Sequence, residues 1–382
     1  MMKIGASFAY DAVWDIQLQS EYKAGKRGLK ANRFVGSVAV PQDQAFVTLP
    51  DSLGKPHAAL SYHGAELLRQ GKLGLIHLNG GLATRFGQIK ATHEVAEFSG
   101  RRRTFLELKI GHLLWVCKTY GGPVPYGLMN SPMTDPVTRE FLAQNRMFGL
   151  QEDRVFSYVQ NVLRRKVPRR EDAETFLSSL GADASPLRRS LDALRGREGE
   201  CWEDSWAPAG HFDALAALVL SRTIGKFLKT GVEYVQISNI DNLAATVDPA
   251  ILGILAQGAE DMLVEVALKK PGDRGGIPVL LPGKGTVLLE EFALPESFDA
   301  TAVRQFNTAT YWIQLAGVLK IFGLTREEAD GASDAVLTER VRAVRRRIPA
   351  YVILKKAEIP GVGETLVEQD EQLLGDVTRL YL

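Results

Sequence analysis

The chain has 382 residues, 45% hydrophobic and 24% charged, proportions of a globular protein that exclude a disordered or fibrous one. Lysine and arginine total 46 against 45 aspartates and glutamates, a net charge of +1, so no nucleic-acid or membrane partner is expected on electrostatic grounds. Cys117 and Cys201 are too few for a disulfide framework, and no apolar run or signal-peptide pattern stands out, so the expectation is a soluble cytoplasmic protein.

Residues 1–60 lack a strong period and read as an N-terminal addition packed on a main domain, 61–382. The apolar run at 73–78 predicts a buried strand, followed by the glycine-rich turn Asn79-Gly80-Gly81-Leu82-Ala83-Thr84-Arg85-Phe86-Gly87. Thr104 with Glu107 makes a capping box that opens a helix, and Gly121-Gly122-Pro123 closes it. A strand follows at 124–129, then a helix N-capped by Asp135, with Pro136 at its first position, running to about residue 147. The stretch 164–203 is charged and broken by Gly and Pro, so it reads as an insertion with partial helix. Beyond it come a helix at 212–228, a strand at 232–238 and a helix opened by Asp248-Pro249. A strand at 263–268 and a hairpin at 279–292 around Gly283-Lys284-Gly285 follow. Strands alternating with helices predict an α/β domain with a largely parallel sheet and an antiparallel hairpin.

Ligands of open α/β sheets bind outside the carboxyl ends of the strands, where the turn at 79–87 would sit. Glycines let a backbone approach phosphate closely with several N–H donors, and Arg85 and Lys90 would add charge there. The turn is neither a Walker A loop nor a Gly-x-Gly-x-x-Gly fingerprint, and a plain strand-to-helix turn stays open as its reading. Asp241, just past the strand at 232–238, suits Mg²⁺ ligation through oxygen or the capping of a helix. His211 follows a flexible turn and suits either a ligand contact or a cap.

Together these segments resemble the UTP–glucose-1-phosphate uridylyltransferase family, which includes UDP-N-acetylhexosamine pyrophosphorylases. The matching pieces are Leu78 through Gly87, Leu128-Met129-Asn130-Ser131, Val159-Gln160-Asn161, Gly210-His211, Ser238-Asn239-Ile240-Asp241-Asn242-Leu243 with Thr246-Val247-Asp248, and Phe306-Asn307-Thr308. They keep the family's order over roughly residues 70–376. The resemblance implies a Rossmann-like fold of the nucleotide-diphospho-sugar transferase type: a mixed, mostly parallel sheet flanked by helices. It implies formation of UDP-sugar and pyrophosphate from UTP and a sugar 1-phosphate, with glucose 1-phosphate first among the sugars. Another sugar such as N-acetylglucosamine, or a non-catalytic UTP- or UDP-sugar-binding role, remains open.

Carried over by position, Leu78, Gly80, Gly81, Met129, Gln160 and Gly210 are expected to hold the nucleotide. His211, Asn239, Glu290, Phe306 and Asn307 are expected on the sugar-phosphate side, and Asp241 as the Mg²⁺ ligand. The charge facing the α-phosphate is expected from Lys90 or, because only Gln88 and Ile89 separate Gly87 from Lys90, from Arg85. The segment 371–376 resembles a late helix of the family's catalytic domain, and no counterpart of the β-helical tail of eukaryotic relatives is found. The basic runs at 101–103, 164–166 and 345–347 read as solvated faces, Trp115 and Trp312 as core, and His77 as a satisfied buried histidine.

Overall fold

The computed structural model describes residues 10–83, 88–178, 185–270, 272–273 and 275–381. Strand β1 (Leu73–Asn79) is buried along all its length, including His77. A strand covered on both faces reads as a continuous apolar run, and such strands belong at the centre of a parallel sheet. With β2 (Tyr126–Asn130), β3 (Val155–Val159), β4 (Tyr234–Asn239), β5 (Met262–Leu268) and β6 (Gln305–Gln314) it forms a six-stranded sheet. The spatial order is β5-β6-β4-β1-β2-β3. Neighbours from β4 through β3 pair in parallel, whereas β6 runs against both β4 and β5. The carboxyl ends of β1 to β5 and the amino end of β6 therefore share one rim.

Helices cover both faces. Asp213–Leu220, Thr223–Lys229, Leu315–Phe322 and Asp334–Arg345 contribute to one core, with Ile76, Leu78 and Ile237 from the sheet. Lys55–Arg69, Phe105–Tyr120 and Pro249–Gln257 contribute to the other, with Leu73, Leu75, Leu128 and Trp312. The helix starting at Phe105 has the expected capping box, and Gly121 ends it at φ +76°. Asp248 caps the helix at Pro249 by accepting from the Ala250 N–H. The expected hairpin is formed by Gly276–Leu281 and Gly285–Glu290.

Several expectations change. The helix after β2 begins at Thr134, not after Asp135, because the Asp135 carboxylate is taken by Asn130, Ser157 and Arg139. The helix expected over 212–228 is two, parted at Arg222, whose φ of +56° breaks the ladder. Trp115 is 53% exposed, while Trp312 is fully buried as expected.

The stretch 164–203 carries the expected partial helix, Arg170–Ser178 and Ser185–Asp192, between two strands. Its flanks, Val162–Lys166 and Cys201–Pro208, join Tyr351–Ile359 and Gly363–Glu371 in a second, antiparallel sheet. Helices Arg170–Ser178 and Ser185–Asp192 pack on that sheet through Ala173, Leu177, Leu187 and Leu191. The segment expected as a late helix is the end of strand Gly363–Glu371, followed by a 3₁₀ turn, Leu374–Leu380. The N-terminal helix Ala12–Lys23 packs Trp14 and Leu18 against Leu163 and Ala209. Two of the basic runs send one member inward: Lys166 pairs with Asp370, and Arg345 with Asp213.

Candidate active site

The rim begins with a polar layer beneath the glycine turn. Asn79, at the end of β1, donates to Asn130 Oδ1 at 2.7 Å and Thr138 Oγ1 at 2.9 Å. Its own carbonyl accepts from Thr134 Oγ1 at 2.8 Å. Asn130, at the end of β2, donates to Asp135 and Ser157, each at 2.8 Å. Buried polar side chains of this kind are costly unless paired; here they fix where the turn leaves the sheet. Among the described residues, Asn79 Oδ1 and Ser238 Oγ have no partner, buried at the ends of β1 and β4. A Cβ on Gly80 would lie 2.0 Å from Nε2 of Gln160, which is only 3% exposed, so glycine is required for these two segments to touch. A Cβ on Gly81 would meet, among the described residues, Lys90 Cε at an unstrained 3.8 Å.

Lys90 and Asp241, 151 positions apart, meet: Nζ donates to Oδ2 at 2.6 Å, with side chains 36% and 34% exposed. Of the two cations the sequence offered, Lys90 is thus at the carboxylate. Arg85 lies outside the described residues. Beneath Asp241 sits a residue that the sequence reading passed over. Lys109 is 2% exposed, and its Nζ donates to the carbonyls of Asn242 at 2.6 Å and Ala245 at 3.0 Å. Burial pushes Lys109 down to about 8, with Asp241 pulling the other way. One turn on, His112 Nε2 accepts from the Val247 N–H at 3.0 Å. The available signal was a lysine among Leu106, Ile110 and Leu113, on the face of a helix that must be covered. Asn239 closes β4, and Asn242 ties the same loop to Thr308 O at 3.1 Å.

On the other side of β1, Gly210 has φ +101°, and a Cβ there would meet Gln372 O at 2.2 Å. Two backbone bonds, Gln372 N–H to Ala209 O and Phe212 N–H to Gln372 O, clamp the turn from both sides. His211 Nδ1 accepts from the Leu374 N–H at 2.9 Å, and burial lowers its pKa. A neutral imidazole accepting at Nδ1 carries its proton on Nε2, so His211 is a neutral donor. Leu78 and Met129 place their side chains in the core beside Phe212 and Tyr311, which leaves backbone as what they can offer the rim.

Phe306 and Asn307 reach the rim because β6 runs backwards. The pairing of β5 with β6 jumps from Glu265–Thr310 to Val266–Asn307, a bulge in which Ala309 has φ +56°. Asn307 supports it by accepting from the Ala309 N–H and donating to Tyr311 Oη, at 2.8 and 2.7 Å. Its side chain is thus engaged within the strand, a task its sugar-facing role did not suggest. Glu290 is raised to about 7 by burial, then by the charges of Asp376, Glu291 and Glu371.

Among the described residues no three His, Cys, Asp or Glu side chains gather as a metal cage. Mg²⁺ commonly keeps several waters and needs only one or two carboxylates beside phosphate oxygens. A lone carboxylate flanked by a lysine fits an ion brought in with phosphates better than a resident one. A groove of about 450 Å³, lined by Phe98, Arg103, Glu107, Leu108, Ile110, Gly111, Leu114 and Phe148, shares no residue with this rim.

The family model for UTP–glucose-1-phosphate uridylyltransferase matches residues 38–182 and 187–332. Similar curated proteins include the UTP–glucose-1-phosphate uridylyltransferases of Saccharomyces cerevisiae, 28% identical over 71% of this chain and 50% of that protein, and of Hordeum vulgare, 28% identical over 84% and 62%. The chain thus spans about half to three-fifths of the length of these relatives. Among solved structures, an L281D mutant of Leishmania major UDP-glucose pyrophosphorylase in complex with UDP-glucose aligns with TM-score 0.64 and 21% identity, covering 97% of this chain and 70% of that one. Trypanosoma brucei UDP-N-acetylglucosamine pyrophosphorylase aligns with TM-score 0.65 and 20% identity, covering 96% and 66%. At these identities the structures speak for the fold, and they agree with the mixed sheet described above. With the family model matching most of its length, the chain belongs to the UTP–glucose-1-phosphate uridylyltransferase family.

Proposed function

We propose that the protein transfers a uridylyl group from UTP to a sugar 1-phosphate, glucose 1-phosphate before other sugars, releasing pyrophosphate. The observation that carries this reading is the meeting of Lys90 and Asp241 at 2.6 Å beside Gly81. A phosphate oxygen of the sugar attacks the α-phosphorus in line. The new P–O bond forms as the bond to the β,γ-phosphates breaks, and pyrophosphate leaves. No protein nucleophile is needed, so catalysis consists of bringing two anions together and neutralising the charge that develops.

In this reading Gly80, Gly81 and Gln160 seat the nucleotide, with the backbone of Leu78, Met129 and Gly210 completing the seat. Lys90 leaves Asp241 to meet an α-phosphate oxygen. His211 donates from Nε2 to the incoming sugar phosphate, and Asn239, Glu290, Phe306 and Asn307 border the hexose. Mg²⁺, held by Asp241 together with the triphosphate, would supply further charge neutralisation. The 28% identity to relatives named UTP–glucose-1-phosphate uridylyltransferase favours glucose. The test is pyrophosphate release from UTP and Mg²⁺ with glucose 1-phosphate, galactose 1-phosphate or N-acetylglucosamine 1-phosphate. Fastest turnover with glucose 1-phosphate is expected. Release with none of the three contradicts the proposal, and a clear preference for N-acetylglucosamine 1-phosphate reassigns the sugar.

A further inference from the structure

Arg345 lies in a run of three arginines whose other two members are exposed, yet its side chain is 2% exposed and its carboxylate partner, Asp213, 0%. The guanidinium is forked. Nη2 donates to Asp213 Oδ1, and Nη1 donates to Gln372 Oε1 at 2.8 Å. The other carboxylate oxygen of Asp213 accepts from the backbone N–H of Asn161 and from Asn161 Nδ2, the latter at 3.1 Å. Gln372 answers by donating from Nε2 to the carbonyl of Arg345 at 2.8 Å. Its backbone N–H and carbonyl bond Ala209 and Phe212, while the Ala209 N–H donates to Asn161 O at 3.0 Å. The bonds accepted by the second oxygen of Asp213 come from Asn161, next to Gln160, and the backbone bonds of Gln372 end on Ala209 and Phe212, which flank Gly210-His211.

The cation is also roofed. Its Cζ lies 3.9 Å from the ring centroid of Trp14 on the N-terminal helix and 5.7 Å from that of Phe212. Burying an ion pair costs desolvation that is recovered only where its remaining donors and acceptors are satisfied. Here Asn161 satisfies the second oxygen of Asp213, and Gln372, whose backbone clamps the turn at Gly210-His211, takes the second guanidinium nitrogen. A planar fork can serve Asp213 and Gln372 at once, and an ammonium cannot span the same two acceptors in fixed geometry.

We propose that Arg345 is a positioning residue for the nucleotide: through Asp213 and Gln372 it locks the Gln160-Asn161 and Gly210-His211 segments into one rigid wall. The inference rests on the uridylyl-transfer reading, because it assigns that wall to UTP. It differs from a merely structural role in what it predicts for molecules that remain folded.

The test is calorimetric titration of MgUTP into the full chain, reading both Kd and the binding stoichiometry. The variants are Arg345→Lys, Asp213→Asn and, as control, Arg342→Gln. Arg342 comes from the same helix and pairs with Asp11, away from the two segments. The expected result is a Kd raised tenfold or more in Arg345→Lys and Asp213→Asn, with stoichiometry near one. Arg342→Gln should lower the melting temperature and leave Kd unchanged. Hydrogen exchange read on the Asn161 and Phe212 amides should speed up at least tenfold in Arg345→Lys, with β1 amides unchanged. A Kd equal to wild type with reduced stoichiometry, or unchanged exchange at Asn161 and Phe212, overturns the positioning role. If the wild-type chain itself binds no MgUTP, the uridylyl reading is what has failed, and the role assigned to Arg345 goes with it.

Discussion

At the scale of single residues, the proposed chemistry rests on groups that add little to stability. The Lys90–Asp241 pair is about one-third exposed on both sides, and pairs so placed contribute at most about 1 kcal/mol. Lys90→Met is therefore expected to leave the melting temperature nearly unchanged while slowing uridylyl transfer by about 10²–10³, the usual cost of losing one charge-stabilising contact. Steady-state rates beside a thermal melt check this, and a large drop in stability with modest loss of rate would contradict it. Gly80 gives the converse case. Gly80→Ala places a methyl where the Gln160 amide sits and should weaken MgUTP binding at least tenfold by calorimetry. The meeting of Gly81, Lys90 and Asp241 at one rim was legible in the sequence, where residue types suited to phosphate chemistry follow successive strands. Lys109 and Arg345 were not. A lysine or arginine in a helix is ordinarily solvated, and only the fold shows which backbone carbonyls or carboxylates it meets.

At the scale of elements, helix Phe105–Tyr120 does more than cover the sheet. Lys109 and His112 hold three backbone groups of the loop that carries Asp241. Lys109→Met should leave the Ala245 carbonyl without its lysine donor, a penalty of about 1–3 kcal/mol for a buried group, and the Asn242 carbonyl with the Ala245 N–H in place of two donors. The expected outcome is faster hydrogen exchange across 240–247 and a higher Mg²⁺ requirement for turnover, while exchange in β2 and β3 stays slow. Equal exchange in that loop would remove the helix from the account. Local patterns foretold the helices capped by the Thr104 and Asp248 side chains, because such caps are decided within four residues. They missed β6 and the second sheet. Those strands are defined by partners far along the chain: β6 by β4 and β5, and Gly363–Glu371 by Tyr351–Ile359 and Val162–Lys166.

At the scale of the molecule, the second sheet and the N-terminal helix join in a buried charge cluster. Lys166 and Arg27 share Asp370, and Glu368 beside them is raised to about 7 by burial. A carboxyl whose pKa is higher folded than unfolded binds its proton more tightly in the folded state. Its stabilisation is complete below the unfolded value, about 4, and is lost as pH climbs towards 7. His77 and His211, both lowered by burial, act in the opposite sense, so the clean comparison is between proteins and not across pH. Relative to wild type, Glu368→Gln should gain melting temperature from pH 5 to about pH 7 and level off above it, and a constant difference between pH 5 and pH 7 would refute the assignment.

The central claim is that loops from six strands meet at one rim to seat a single nucleotide. It is tested most directly by the structure of the chain crystallised with UTP and Mg²⁺. The account predicts the base between Gly80 and Gly210 beside Gln160, Lys90 turned from Asp241 to the α-phosphate, and the metal on Asp241. A triphosphate bound elsewhere, with Lys90 and Asp241 still paired, would contradict it.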